Sequence, residues 1–260
     1  MSDVATALTS AAIAIAVLMI ATWLLSLALR NASIVDIVWG AGFVVVAWVV
    51  RLRVDGHEPR QWLLVAMTTI WGLRLSGYLF WRNHGKPEDF RYQAMRRRYG
   101  SRFPLVSLGT VFLFQGLMMW TVSLPVQLGQ ARDTPDIGVL AVIGVLVWIV
   151  GLAFEAIGDA QLARFKADPA NSGRVMDRGL WRYTRHPNYF GDACIWWGIA
   201  LVAAETGVGA WGFVGAVLMT VLLRRVSGVT LLERSLVKRR PGYADYVART
   251  SPFVPRPPRG

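Results

Sequence analysis

The chain predicts an all-α, polytopic membrane protein of about seven transmembrane helices, with its N-terminus outside and its C-terminus in the cytoplasm. Hydrophobic residues make up 54% of its 260 positions, against about 45–50% in a soluble domain. They fall in long uncharged blocks rather than at helix or strand periodicity. The basic residues, which give a formal net charge of +12, sit between those blocks and are dense in alternate loops, as in cytoplasmic membrane loops. This placement argues against a nucleic-acid partner, and a soluble polyanion-binding protein fits poorly.

The first block, 5–29, lies in MSDVATALTSAAIAIAVLMIATWLLSLALR. It lacks a basic leader and is too long for a cleaved signal, so it reads as a retained span. Further spans are expected at about 34–50, 62–81, 105–128, 137–160, 189–204 and 208–223, judged against the roughly 20 residues that cross the hydrocarbon. The last two are short and could form one kinked or re-entrant unit, although ETGVGA between them reads as a turn. Orientation follows from the loops. Arg82, Lys86, Arg91, Arg96, Arg97, Arg98 and Arg102 follow span three, and Arg164, Lys166, Arg174, Arg178, Arg182 and Arg185 follow span five. The tail carries Arg224, Arg225, Arg234, Lys238, Arg239, Arg240 and Arg249, whereas the loops after spans four and six hold Arg132 and no basic residue. The loop after span two, with Arg51, Arg53 and Arg60, runs against the pattern and is partly offset by Asp55 and Glu58. The chain reads as one membrane domain, with 1–104 as N-terminal helices and basic loop and 105–260 as C-terminal helices and tail. The end, PFVPRPPRG, is expected to be an extended surface strap.

Several chemistries are excluded. Cys194 is the single cysteine, inside an apolar run, so no intramolecular disulfide or cysteine-based metal site is available. His57, His84 and His186 are far apart, which leaves no zinc spacing. No G-x-S-x-G or Walker pattern occurs. GVGAWG at 207–212 matches G-x-G-x-x-G, but no strand precedes it and no acidic residue follows at the required distance; it reads as a tight inter-helix turn.

Candidate chemistry comes from ionisable groups inside or at the ends of spans, where a charge costs about 2.5–3.5 kcal/mol on insertion scales. These are Asp36, Arg74, Glu155, Asp159, Asp192, Arg224 and Arg225. The predicted orientation puts all of them in the cytoplasmic half. Glu155 and Asp159 share a helix face, as do Arg74 and Tyr78. Snorkelling to the headgroups is the alternative, best suited to Arg224 or Arg225, since carboxylates have short stems. Both signs at one depth suggest a polar cavity, and its many arginines favour a ligand with phosphates.

GLWRYTRHPNYFGD, a following Trp-rich span and ERSLVKRRPGYADYVARTSPFVP resemble the C-terminal half of the steroid 5α-reductase-like membrane superfamily. SIVDIVWG, GLRLSGYLFWR and GKPEDFRYQAMR narrow the resemblance to a bacterial branch of uncharacterised membrane proteins with that fold. RHPNYFG is shared with sterol reductases and isoprenylcysteine carboxyl methyltransferases. The resemblance implies NADPH within a seven-helix bundle of a bacterial inner (plasma) membrane, with the site on the cytoplasmic side. By that resemblance Asn188 and Asp192 hold the nicotinamide end, while Asp159, Lys166 and Arg178 fall near ribose and phosphate positions. Arg74 and Tyr78 match an Arg-x-x-x-Tyr pair, Arg225 matches more loosely, and Arg185, His186 and Tyr189 follow the sterol-reductase motif. An alternative is that RHPN turns the chain and starts span six, with Pro187 in its first turn and Asn188 as a cap.

In the family, a span-two Glu and a span-three Tyr polarise an enone carbonyl. Here those positions are Asp36 and Trp71, and the preceding Gln is Val35; an indole donates a hydrogen bond but no proton. Tyr92 is a candidate replacement donor. The expected function is NADPH-dependent reduction of a conjugated C=C bond in a lipophilic substrate, a 3-oxo-4-ene steroid or related lipid, by a protein surrounded by membrane lipids and most simply monomeric. The alternatives are an S-adenosylmethionine-dependent membrane methyltransferase, with Glu233 as its acidic residue, and a non-enzymatic transporter or scaffold. The arginine surplus favours NADPH, because the methyl donor carries no phosphate.

Overall fold

The computed structural model describes residues 2–132, 137–226, 233 and 240–259. Among these residues every regular element is helical. α1 (Asp3–Leu29), α2 (Ile34–Arg51) and α3 (Glu58–Asn83) are followed by α4 (Phe90–Tyr99), α5 (Phe103–Ser107), a π-helical segment (Leu108–Leu113), α6 (Phe114–Val122) and α7 (Leu124–Gln130). Then come α8 (Val139–Ala167), α9 (Pro187–Ala204), α10 (Phe213–Val221) with a π-helical end (Leu222–Val226), and α11 (Tyr243–Arg249).

Among the described residues six helical stretches are long and apolar enough to cross a membrane: Asp3–Leu29, Ile34–Arg51, Glu58–Asn83, Phe90–Val122, Val139–Ala167 and Val208–Arg225. The protein is therefore a polytopic membrane protein. Their outward surfaces carry large apolar side chains such as Ile13, Leu24, Leu73, Leu105 and Leu146, as contact with lipid tails requires. The expected span at 189–204 also forms a helix, α9, but its first turns carry Asn188 and Asp192 and it falls outside that set. A turn through Gly207, at φ 72°, separates α9 from α10, so the last two blocks are distinct helices and GVGAWG is the connection between them.

One helix was not expected. Ahead of the fourth span, expected from about 105, a separate polar helix forms at Phe90 and closes at Gly100, whose φ is 50°, before the apolar helix starts at Phe103. The Asp89 side chain caps the polar helix by accepting the Arg91 amide at 2.9 Å, and residues 90–99 lack Gly and Pro. The arginine run that looked like a loop is therefore helical.

The chain divides into two compact units: residues 1–141 with 199–215, and residues 142–198 with 216–260. In the first unit α2 and α3 pack closely at paired glycines. A methyl group added at Gly40 would overlap the Gly72 carbonyl oxygen, and one at Gly72 would meet Gly40. Ser76 stitches the same crossing, donating to the Ile37 carbonyl at 2.7 Å and accepting the Ala41 amide at 2.8 Å. Gly40→Ala should destabilise the protein by about 1–3 kcal/mol through overpacking. The check is the detergent-solubilised melting midpoint, and an unshifted midpoint would refute this packing.

In the second unit α8 and α9 cross at Gly151 and Gly191, with a Cβ at Gly191 only 2.5 Å from the Gly151 carbonyl oxygen. Small residues let membrane helices approach to backbone contact. The same unit contains the C-terminal strap. Beyond α11 the chain runs without regular structure over 250–259 and is tied to 183–185. Thr184 Oγ1 donates to the Phe253 carbonyl at 2.8 Å, the Arg185 amide to Ser251 at 2.9 Å, and the Arg256 amide to Tyr183 at 3.0 Å.

Candidate functional site

In the first unit, the start of α2 meets the start of α4. The corner at 30–33 turns α2 so that Asp36 lies in its first turn, and Asp89 begins α4 so that Tyr92 faces it. The Tyr92 hydroxyl donates to Asp36 Oδ1 at 2.9 Å, and Arg91 Nη2 pairs with Asp36 Oδ2 at 3.0 Å. Gln115 Nε2, on the first turn of α6, donates to the Tyr92 oxygen at 3.4 Å. Tyr92 is buried, whereas Arg91 is half-exposed. The result is a polar chain, Arg91–Asp36–Tyr92–Gln115, running from the rim of the helices inward. The Tyr92 expected as a replacement donor is thus in contact with the expected acidic residue.

Trp71, the other residue expected at the reacting centre, lies on the third helix. It is fully buried on α3, edge-on to Phe43 with ring centroids 5.4 Å apart, and Phe43 in turn packs against Trp39 at 5.5 Å. Its place is in an aromatic core layer. Further along α3 the Tyr78 ring lies between two guanidinium groups, Arg74 at 5.5 Å and Arg82 at 5.8 Å, one turn to either side. Such cation–π contacts orient an arginine without neutralising it.

The second unit holds the remaining candidates, several of them at or just before the start of α9. Pro187 is its first residue, as the motif suggested. Asn188 does more than end a turn: its Nδ2 donates to Asp159 Oδ1 on α8 at 3.2 Å. Asp159, Glu155 and Asp192 are all buried. Three further candidates are exposed cations: Lys166 in the last turn of α8, Arg178 on the α8–α9 connection and Arg225 on the π-helical end of α10.

Arg185 and His186 have another role here. Arg185 is buried, and Nε and Nη2 both grip Glu233, at 2.7 and 3.0 Å. Its Nη1 donates to the carbonyls of Val247 and Thr250. His186 Nε2 lies 3.0 Å from Glu233 Oε1, and its ring stacks parallel on Tyr189 at 5.2 Å. Burial pushes the Glu233 carboxyl up, but the contacts from His186 and Arg185 outweigh it and hold the group below the usual carboxylate range. Of the three residues expected as cofactor contacts, Arg185 and His186 thus link the RHPNYFG turn to the tail, and Tyr189 stacks on His186.

Three partners were absent from the sequence-derived candidate set for this chemistry. Arg91 adjoined Tyr92 and could have been read as its neighbour. Gln115 carried the signal of a polar residue within an apolar block. Glu233 stood only in the methyltransferase alternative. Among the described residues no cluster of His, Cys, Asp and Glu could hold a metal ion.

A family described as "Protein of unknown function (DUF1295)" matches residues 22–250. An uncharacterised protein of Schizosaccharomyces pombe is 24% identical over 269 positions, which cover 90% of this chain and 75% of that protein. No solved structure matches the chain. The family match takes in both polar clusters, from Asp36 through Glu233 to Arg249, and the chain accordingly belongs to the DUF1295 family of membrane proteins.

Proposed function

We propose that the protein reduces a conjugated C=C bond in a lipophilic enone, a 3-oxo-4-ene steroid or related lipid, with NADPH as reductant. The observation that carries this reading is the Tyr92 hydroxyl held between Asp36 and Gln115. Reduction of an enone builds negative charge on its carbonyl oxygen, and a preoriented O–H donor in a low-dielectric site stabilises that charge. NADPH, when bound, would supply the hydride to the β-carbon. The Tyr92 proton, directed at Asp36 in the resting site, would turn to the carbonyl oxygen as charge develops there. Asp36, fixed by Arg91, keeps the phenol oriented, while Gln115 donates to the phenol oxygen and compensates the charge it acquires. The saturated ketone forms when the α-carbon takes a proton from solvent and the proton on the carbonyl oxygen returns to Tyr92, which restores the phenol.

The donor set of the second unit, taken by itself, has the chemistry that the cofactor needs. A carboxamide needs a donor and an acceptor, and Asn188 with Asp159 already pairs an amide with a carboxylate; Asp192 lies one turn further along α9. Lys166, Arg178 and Arg225 are exposed cations suited to phosphates. Arg185 and His186 are committed to Glu233 and are not counted among these groups. The positive loops would face the cytoplasm of a bacterial plasma membrane.

Thermal stabilisation of the purified protein by NADPH, NADH and S-adenosylmethionine tests the reading. NADPH at about 100 times its Kd should add roughly 2.7 kcal/mol of apparent stability, and Asn188→Ala should reduce that shift. A shift with S-adenosylmethionine and none with NADPH would transfer the protein to the methyltransferase alternative.

A further inference from the structure

A hydroxyl can act on a substrate atom only if the helix carrying it is held at one height and one rotation. Tyr92 lies in the first turn of α4, directly after the 84–89 connection, and its partner Asp36 opens α2. Two consecutive residues of that connection fasten it to the corner before α2. Glu88 Oε1 accepts the Ala32 amide at 2.7 Å, and the Asp89 amide donates to Ser33 Oγ at 2.6 Å. Glu88 also reaches forward into α4. Arg96 Nη2 and Nε donate to its two carboxylate oxygens at 2.9 and 3.1 Å, a bidentate fork. Gln93 Nε2 closes the same turn by donating to the Glu88 carbonyl at 2.6 Å.

The spacing gives this arrangement its meaning. Ala32 precedes Asp36 by four residues, and Arg96 follows Tyr92 by four. The Glu88 carboxylate is therefore a second bridge between the two segments that Asp36 and Tyr92 join, displaced by roughly one helical turn. It is a firm bridge: the Glu88 side chain is 9% exposed, and the Arg96 guanidinium is itself fixed over the Phe103 ring at 4.3 Å. Burial raises the Glu88 carboxyl, but Arg96 and the Ala32 amide hold it below the usual carboxylate range, so the bridge stays charged near neutral pH.

We infer that Glu88 is a positioning residue for Tyr92, setting the register of α4 against α2 so that the phenol meets Asp36. It acts through Tyr92 and has no contact with Asp36, and its catalytic relevance rests on the role proposed above for that phenol. A staple that only stabilised the loop would leave the surroundings of Tyr92 unchanged in any variant that still folds.

The experiment compares wild type and Glu88→Ala, full-length and in lipid nanodiscs, for nitration of Tyr92 by tetranitromethane, read by peptide mass spectrometry. Tyr183, 44% exposed in the other unit, is the internal standard, against 6% for Tyr92. Nitration of Tyr92 should rise about tenfold as the local segment opens, with Tyr183 unchanged. Enone turnover should fall about 10- to 100-fold, the scale of a small misplacement, at unchanged KM for NADPH, and Glu88→Asp should restore part of it. Should Glu88→Ala fail to fold, Arg96→Lys, which removes the fork but keeps the charge, carries the same expectations. Unchanged Tyr92 nitration in the folded variant overturns the inference. If wild type reduces no enone, the proposed function fails, and nitration still decides the role of Glu88.

Discussion

Tyr92→Phe is expected to lower kcat for enone reduction by about 10²–10³-fold, the loss seen when one preorganised donor to a developing oxyanion is removed. The ring keeps its place in the buried wall, so folding and NADPH affinity should stay close to wild type. The hydroxyl connects Asp36 to Gln115 through bonds of 2.9 and 3.4 Å. Asp36→Asn should also lower turnover, for a different reason. The amide can still accept the phenol proton, but Arg91 keeps only its second partner, Asp89 at 2.8 Å, and no longer holds residue 36 by charge across the 3.0 Å pair, so the phenol loses its fixed orientation. Steady-state oxidation of NADPH with an enone substrate, with the melting midpoint as control, separates the two effects. Wild-type kcat in Tyr92→Phe would remove Tyr92 from the chemistry.

The membrane character was legible because it depends on composition summed over some twenty residues, and summed signals tolerate local exceptions. Asp36 and Asp192 stood out for the same reason, since a carboxylate in an apolar block is costly. What escaped was set by single contacts distant in sequence. Glu233 meets Arg185 and His186 from 48 and 47 residues away, and no periodicity reports such a pairing. The helical start at Phe90 was hidden because a run of arginines reads as a loop by hydropathy, whereas arginine is a good helix former once a cap is present. The π-helical segment Leu108–Leu113 was equally invisible. One extra residue per turn leaves apolar composition unchanged yet rotates everything after it, including Gln115. Tyr92 was recoverable as a donor and Asp36 as an acid, but their pairing with each other and with Gln115 was not, because the three residues come from three helices.

The motif RHPNYFG gains a different meaning from its contacts. Its Asn188 points to α8, where Asp159 waits, and its Arg185 and His186 point to the tail. One short segment thus serves two purposes, offering polar groups to a ligand on one side and anchoring a strap on the other. Part of the arginine surplus that suggested phosphate binding is consequently internal. Arg185 is spent on Glu233, Arg96 on Glu88 and Arg249 on Asp177.

Glu233→Ala is therefore expected to be among the most destabilising substitutions in the second unit, at about 3–5 kcal/mol, because it strands a buried guanidinium without its counter-charge. Arg185 has a side chain only 7% exposed, and among the described residues the carbonyls of Val247 and Thr250 would remain to receive it. The strap should loosen with it, since the Arg185 side chain holds Val247 and Thr250 and its backbone holds Ser251. Limited proteolysis in 243–259 and a lowered melting midpoint are the readouts. Acid should mimic the substitution. The folded Glu233 carboxyl lies below its ordinary value of 4.5, so the stabilisation is complete above that pH and is lost as pH falls through the lower folded value. Wild type should lose stability in that acid window, and Glu233→Gln, already uncharged there, should lose less. Replacing both partners, in Arg185→Met with Glu233→Met, should recover part of the loss, since an apolar pair strands no charge. A melting midpoint unaffected by Glu233→Ala, together with unaltered cleavage of the strap, would show that the tail is held by its backbone bonds alone.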